Sequence, residues 1–359
     1  MQTRPLLGIL ALAVLSGCSA VSDGSGNDED VTNVAPGDLP AGETMAEGTS
    51  YDAIFESASQ EYGVPAPLLK GIAWAETRWE MIEGEEEHEG FAPAFGMMAL
   101  RGERLEAGAA AAGVSVDDAK TDPTANVRAG AAILSALADE LSIDRDDLAD
   151  WASVAAEYGG AEDLQARAYY VNTEVYGAIQ QGLSLEVGTL EPILVQPKYF
   201  ALDSSGTPGP DYASSVWHAS PNHSARPSGT SGKVTAVIIH TCEGSYSGCW
   251  GWLTNSQAGV SAHYVVNPEG SEISQLVKES RKAWHIGASY KCSLNGGTSC
   301  NLEGVSGNSF TVGIEHAGYA SQSSWSNGLL NASAKLTCDI TKDNGIPRDK
   351  YHIVGHGQL

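Results

Sequence analysis

Positive charge is what this 359-residue chain has least of: 20 Lys and Arg stand against 45 Asp and Glu, a formal net of −25. A surface that acidic repels phosphate backbones, which argues against nucleic acid as a partner. There are only six cysteines and no CxxC spacing, so no cysteine-type zinc site is expected. No internal repeat is present, and no segment is apolar enough to cross a membrane as a permanent helix. With 42% hydrophobic and 18% charged residues, the chain can bury a core, and wholesale disorder is excluded. Its length suits two domains.

The acidity is lopsided. Residues 21–200 hold 34 acids and 9 bases (net −25), whereas residues 201–359 hold 11 acids and 10 bases (net −1). That asymmetry points to two units of separate origin. Ahead of them, Arg4 and the short apolar run Pro5 to Leu15 read as an export signal. The run ends in Leu15-Ser16-Gly17-Cys18, which resembles a bacterial lipobox and implies a signal peptide over 1–17 and lipidation of Cys18. Ser19 in the next position implies an outer-membrane address. Residues 18–49, rich in Gly, Ser, Asp and Asn, form a flexible tether.

Residues 50–185 show helical, alanine-rich patterning, as in Ala129 to Leu141. Residues 186–228 turn rich in Pro, Ser and Gly and read as a linker. From 229 to 359, β-rich runs (Val234–Ile239, Ala262–Val266, Phe310–Ile314, Tyr351–Val354) alternate with helical stretches near Gly251 and over Leu329–Lys342. The expected fold is therefore an all-α domain followed by an α/β domain with a mixed sheet and flanking helices. Export permits disulfides. Cys242 with Cys249 and Cys292 with Cys300 are the natural local pairs, each worth ~2 kcal/mol through restriction of the unfolded chain. Cys338 is left over, as a buried small apolar residue.

In the helical part, Leu69, Ile72 and Glu76 fall at steps of three and four after Val64-Pro65-Ala66-Pro67, so they share one helix face. A carboxyl on an apolar face is desolvated and holds its proton to higher pH, which is what protonation of a glycosidic oxygen requires. The alternative is a solvated acid at a helix end. This run, together with Phe95-Gly96-Met97-Met98, Thr121-Asp122-Pro123-Thr124-Ala125-Asn126 and Tyr169-Tyr170-Val171, resembles the lytic transglycosylases, goose-lysozyme-like helical domains. The resemblance spans about 130 residues and implies Glu76 as acid and then base, with Tyr170 as its partner at the substrate. It also explains the lack of a second catalytic carboxylate, because the muramoyl 6-hydroxyl rather than water attacks. Thr77 stands where the family has Ser, Ala99 where it has Gln, and Ala155 to Gly160 depart from its Ala-Tyr-Asn-Ala-Gly run; the lost amides would remove substrate hydrogen bonds. The acidic insert Glu83–Glu89 reads as a solvated loop beside the cleft.

In the α/β part, Ile239-His240-Thr241 ends a buried strand. It is followed by Ala262-His263-Tyr264, Trp284-His285-Ile286-Gly287, Val312-Gly313-Ile314-Glu315 and Val354-Gly355-His356. These ordered motifs resemble the type 2 zinc N-acetylmuramoyl-L-alanine amidases, relatives of peptidoglycan-recognition proteins. The resemblance implies Zn2+ held by His240 and His356, with a water whose pKa falls towards ~7. Glu315 is then the catalytic carboxylate; it shares a strand face with Thr311 and Gly313. His285 is expected to contact substrate or to hold the sheet, and His263 to be scaffold. His352, four residues from His356, lies on a probable strand about 13 Å away along the chain and is structural, as are His88, His218, His223 and His316. The family's third ligand follows the second His by about ten residues, and the chain stops at Leu359, so the domain is expected to be truncated. Together the resemblances imply a peptidoglycan hydrolase that cuts the muramoyl–L-alanine amide and also the glycan strand. The alternative is a non-catalytic lipoprotein that binds peptidoglycan.

Overall fold

The computed structural model describes residues 50–86, 91–199 and 210–358. The signal segment, Cys18, the tether and His88 lie outside the described residues. Helix α1 (Tyr51–Tyr62) starts at Ser50, whose side chain accepts from the Asp52 amide, and stops at left-handed Gly63. Helix α2 (Ala66–Thr77) follows Pro65 and buries Leu68, Leu69 and Ile72 on the face that also carries Glu76. The hairpin β1 (Ala94–Phe95) and β2 (Leu100–Arg101) leads to α3 (Gly102–Ala112) and α4 (Val116–Thr121). Asp122 then caps α5 (Pro123–Leu141) by accepting from the Ala125 amide. α6 (Ala152–Gly159) and α7 (Leu164–Tyr169) follow, and a π-helical turn over Tyr170–Val175 runs into α8 (Tyr176–Gln181). Such π turns inside helices re-aim side chains and recur at functional sites; this one begins at Tyr170. The core of the unit holds Phe55, Leu69, Trp79, Val127, Trp151 and Tyr176.

The described residues of the 186–228 segment, expected as a linker, hold strands. The hairpin β3 (Leu183–Leu185) and β4 (Gly188–Leu190) closes onto the helical unit. There Asp52 accepts from the Thr189 amide at 2.9 Å and from Lys70 at 2.7 Å. Farther on, β5 (Val216–Trp217) and β6 (His223–Ala225) belong to the second domain. The backbone pairing that recruits them is nonlocal, so a Pro- and Ser-rich composition gives no sign of it.

The second domain is a six-stranded mixed sheet in the order β12-β7-β11-β8-β9-β5. Its strands are β7 (Ala236–Thr241), β8 (Tyr264–Val266), β9 (Ile273–Gln275), β11 (Thr311–His316) and β12 (Ile353–Gly355), with β5 at the edge. β10 (Arg281–Ala283) pairs separately with β6. β7 runs parallel to β11 and β12, and β11 parallel to β8. Covered on both faces, the central strands read as continuous apolar runs. One face packs Val237, Ile239, Val312 and Ile314 against Leu336 and Ile340 of α10 (Asn327–Asn344). On the other side, Trp250 and Leu253 of α9 (Tyr246–Thr254) pack with Val265 and Leu276. Disulfides join Cys242 to Cys249 and Cys292 to Cys300, and Cys338, buried on α10, is disulfide-bonded too, which corrects the expectation that it is left over.

The two domains meet along α9. Gly251 lies against Ala166 of α7, where a Cβ would come within 2.7 Å of the Ala166 methyl. Glu174 sits at the start of α9: its carboxylate accepts from the Ser247 hydroxyl and from the Tyr246 and Ser247 amides, which no residue within the helix can satisfy. Arg78 pairs with Glu269 at 2.7 Å, and Arg101 donates to the Glu243 carbonyl. The acidic insert also departs from the expected solvated loop. The Glu85 amide donates to the Glu243 carboxylate at 2.8 Å and the Glu83 amide to Ser321 at 3.1 Å, so its described part is pinned to the second domain.

Burial pushes the Glu174 carboxyl up to about 7, against the opposing pull of Ser247 and Arg78 and with Glu76 adding to the rise. A raised folded-state pKa gives stability that is complete below the unfolded value near 4.5 and is lost as pH climbs through about 7. Glu174→Gln keeps an acceptor at the α9 N-terminus without the buried charge. The variant is expected to match wild type in thermal melting at pH 5 and to melt roughly 3 °C higher at pH 8. Equal melting at pH 8 would contradict burial as the controlling term.

Candidate functional site

Glu76 stands one residue before the end of α2, half-buried in the wall of a cleft. The Tyr170 hydroxyl donates to Glu76 Oε1 at 2.6 Å. Burial raises the Glu76 pKa, and this outweighs the hydrogen bond from Tyr170 and the fields of Arg101, Arg104 and Arg78, all of which favour the anion. The neighbouring motifs are wired to each other. Thr77, in place of a serine, donates to the Met97 carbonyl at 2.8 Å. Asn126, fully buried, donates to the Phe95 and Ala119 carbonyls and accepts from the Met98 amide. Tyr158 donates to the Met98 carbonyl at 2.6 Å. The Gly-Met-Met turn is thus held from three sides beside the carboxyl, and Ala99 lines the cleft where an amide was missed in the sequence. The three arginines around Glu76 were not legible beforehand, since they come from separate elements.

The second constellation sits at the C-terminal ends of β7, β11 and β12, where open α/β sheets place their ligands. His240 and Glu315 are direct partners in the β7–β11 register, and both side chains are fully buried. His240 Nδ1 lies 3.1 Å from His356 Nδ1 and 3.9 Å from Glu315 Oε1. The other face of the His240 ring meets His285: Nε2 to Nδ1 is 3.0 Å, and His285 Nε2 is 3.0 Å from Thr311 Oγ1. Thr311 Oγ1 is in turn 2.9 Å from the Gly307 carbonyl.

Proton directions follow from this chain of contacts. A carbonyl only accepts, so Thr311 spends its one hydrogen on Gly307. Thr311 therefore accepts from His285 Nε2–H, which leaves His285 Nδ1 as an acceptor. His240 must then donate through Nε2–H, and its Nδ1 presents a lone pair towards His356 and Glu315. Burial pushes the His285 pKa well down, in keeping with a neutral ring. Gly313 makes the arrangement possible, because a Cβ there would lie 2.5 Å from His285 Cγ.

Of the two roles the sequence left open for His285, contact with substrate or support of the fold, its surroundings favour support. Both of its ring nitrogens are engaged inside the protein and only 2% of its surface is exposed, so it orients His240. His263 accepts from the Gly313 amide and faces the Arg281 carbonyl, and His316 is fixed between the His240 carbonyl and Ser333. His352 pairs with Asp349 at 2.7 Å, away from the cluster. Thr311 is the residue that the sequence did not single out; its signal was its position on the Glu315 face of β11.

Two imidazole nitrogens meeting beside a carboxylate, one of them on a ring whose far N–H is anchored, are chemically suited to a nitrogen-ligated divalent metal. The sulfurs of Cys242 and Cys249 also lie within 4.8 Å of a Glu315 oxygen. They are bonded to each other and offer no thiolate, so they are not ligands. The tautomers carry an expected outcome: nitrogen-15 NMR of the metal-free protein shows Nε2–H on both His240 and His285. Thr311→Val removes the terminal acceptor while keeping the shape, and it is expected to weaken zinc binding by on the order of 10-fold in chelator competition. Nδ1–H on His285 would contradict the relay.

Comparison with known proteins agrees with this division. The family described as "N-acetylmuramoyl-L-alanine amidase" matches residues 230–359, and the family described as "Transglycosylase SLT domain" matches residues 53–170. The chain is 34% identical over 166 residues to "N-acetylmuramoyl-L-alanine amidase A" of Achromobacter lyticus, covering 42% of this chain and 82% of that protein. A solved structure described as "crystal structure of Se-Met AmpD derivative" is 23% identical, covers 40% of this chain and 82% of its own, and superposes with a TM-score of 0.32, too loosely to compare the two site by site. The chain belongs to the N-acetylmuramoyl-L-alanine amidase family, with a transglycosylase SLT domain ahead of the amidase domain.

Proposed function

We propose that this chain is a peptidoglycan hydrolase with two cutting sites: a zinc amidase that cleaves the bond between N-acetylmuramic acid and L-alanine, and a lytic transglycosylase that cleaves the glycan strand. The observation that carries the amidase reading is the convergence of His240 Nδ1 and His356 Nδ1 at 3.1 Å beside Glu315. His240 and His356 would hold the zinc, which when bound supplies a Lewis acid and a water of lowered pKa. Glu315, 3.9 Å from His240 Nδ1, would orient an attacking water, take its proton and pass it to the leaving amine. His285 and Thr311 keep His240 in the tautomer that ligates.

At the other site Glu76 supplies its proton to the glycosidic oxygen as that bond breaks. As carboxylate it then takes the proton of the muramoyl 6-hydroxyl, which closes onto the anomeric carbon. Burial raises the Glu76 pKa and so favours the acid form that the first step uses, and the Tyr170 hydroxyl donates to Oε1, leaving the other oxygen as the one that exchanges a proton with substrate.

Substrate of this kind places the protein in the cell envelope. The export signal, and Cys18 as a lipid anchor in the outer membrane, fit that place, with the tether setting how far the domains reach. No helix among the described residues is long and apolar enough to cross a membrane.

Digestion of purified peptidoglycan followed by mass spectrometry tests both sites at once. Wild type is expected to yield anhydromuramoyl ends and freed stem peptides. Glu76→Gln is expected to lose the first by at least about 10²-fold while keeping the second, and Glu315→Gln to do the reverse. Unchanged products from either variant would remove that residue from its role.

A further inference from the structure

Two hollows meet at Glu76, and both are built from both domains. The first, of about 460 Å³, has Arg101 and Phe91 on the transglycosylase side and Trp252 and Cys249 on the amidase side. The second, of about 310 Å³, has Trp74 and Arg78 on one side and Trp325 and Gln322 on the other. Gly244 and Ser245, in the turn that leads into α9, line both hollows, as Glu76 does.

The two hollows repeat one chemical plan. In the first, the Arg101 guanidinium lies 4.3 Å over the Phe91 ring, and Trp252 meets that ring at 5.4 Å and 31°. In the second, the Arg78 guanidinium lies 5.0 Å over the Trp74 ring, and Trp325 lines the same space. Each thus sets a cation-backed aromatic of the helical domain together with a tryptophan of the amidase domain. Flat aromatic faces suit the C–H faces of sugar rings, and guanidinium groups suit the carboxylates of attached peptides. In a chain of net −25, three arginines gathered around one carboxyl form a local exception to the general charge.

We infer that the amidase domain supplies half of the saccharide-binding walls of the transglycosylase cleft: an N-acetylhexosamine strand lies across Glu76 beneath Gly244–Ser245, with Trp252 bearing on the sugars to one side of the cut and Trp325 on those to the other. The inference rests on the Glu76 reading given above but concerns residues outside the transglycosylase domain. A lid that merely blocks the cleft would leave no room beside the carboxyl, whereas here a hollow opens on each side of it. The same geometry makes Trp252 and Trp325 specificity residues for polymer over short fragments, because a fragment that fills one hollow engages only one of them.

The test uses the full chain and tetra-N-acetylchitotetraose as probe. Binding is measured by calorimetry in the Glu76→Gln background, so that nothing is cut, and the rate of anhydromuramoyl-end formation from peptidoglycan is measured with Glu76 intact. Trp252→Ala and Trp325→Ala are each expected to weaken tetraose binding by at least about 10-fold and to lower kcat/KM mainly through KM. Trp252→Phe and Trp325→Phe are expected to restore most of both. Thermal melting of every variant shows whether the fold is kept, and Trp252→Leu and Trp325→Leu, which keep bulk without an aromatic face, carry the test if an Ala variant melts early. Unchanged binding in the folded Ala or Leu variants would overturn the inference while leaving the Glu76 reading intact. Faster end formation in them would also overturn it and identify the amidase domain as a block. Absence of anhydromuramoyl ends from wild type would overturn the Glu76 reading alone, and tetraose binding by wild type and its loss in the Trp variants would still stand as the measure of the composite wall.

Discussion

Helix α9 and the Cys242–Cys249 bridge are the point through which both sites are held. Cys242 follows His240 by two residues at the end of the central strand, and Cys249 lies on α9, so the bridge fixes the helix to the strand that carries the histidine. α9 then packs on α7 through Gly251 and Ala166 and takes Glu174 at its N-terminus. One short element is therefore anchored by a covalent bond on the amidase side and by close helix contact and a carboxylate on the other. Restriction of so short a loop contributes about 2 kcal/mol, which is modest. Its value here is positional, because Cys242 and Cys249 line the first hollow and their sulfurs lie within 4.8 Å of a Glu315 oxygen. The two proposed sites share that one wall.

Within the histidine cluster itself, orientation comes from hydrogen bonds among buried groups. An isolated histidine at a strand end could adopt either tautomer and several ring orientations. Here a carbonyl fixes a threonine, the threonine fixes His285, and His285 fixes His240, each step following from the fact that the previous group has no other hydrogen to give. The low dielectric around fully buried groups strengthens every link. On the proposed reading, the nitrogen that would ligate is aimed before any ion arrives, and the cost of organising the site is met by folding rather than by binding.

How much of this was open to view in the sequence differs between the two kinds of feature. The alternation Thr311, Val312, Gly313, Ile314, Glu315 assigns Glu315 to the face opposite the packed core, and the structure has Val312 and Ile314 in the core. The three-and-four spacing likewise puts Glu76 on the same helix as buried Leu69 and Ile72. These are local periodicities, and a local period survives in a linear string. The role of His285 did not survive, because it depends on a partner 45 residues away and on a glycine beneath the ring. Neither did strands β5 and β6, whose composition suggests a linker and whose conformation comes from the strands they pair with. The interface was least legible of all: Glu174, Glu243 and Arg101 are ordinary polar residues until the fold sets them against backbone groups of the other domain.

Substituted motif positions also look different once the domains are seen together. Read alone, the transglycosylase domain has lost an amide at Ala99 and carries an altered run at Ala155 to Gly160, and a weakened grip on substrate follows. Those positions now face a second domain, whose Trp252 and Asn255 line the same hollow. A cleft that gains a wall from its neighbour can give up contacts of its own, because what positions a strand is the total of oriented contacts and not the domain that supplies them. The departures that read as loss in one domain are compatible with a site that has been shared between two.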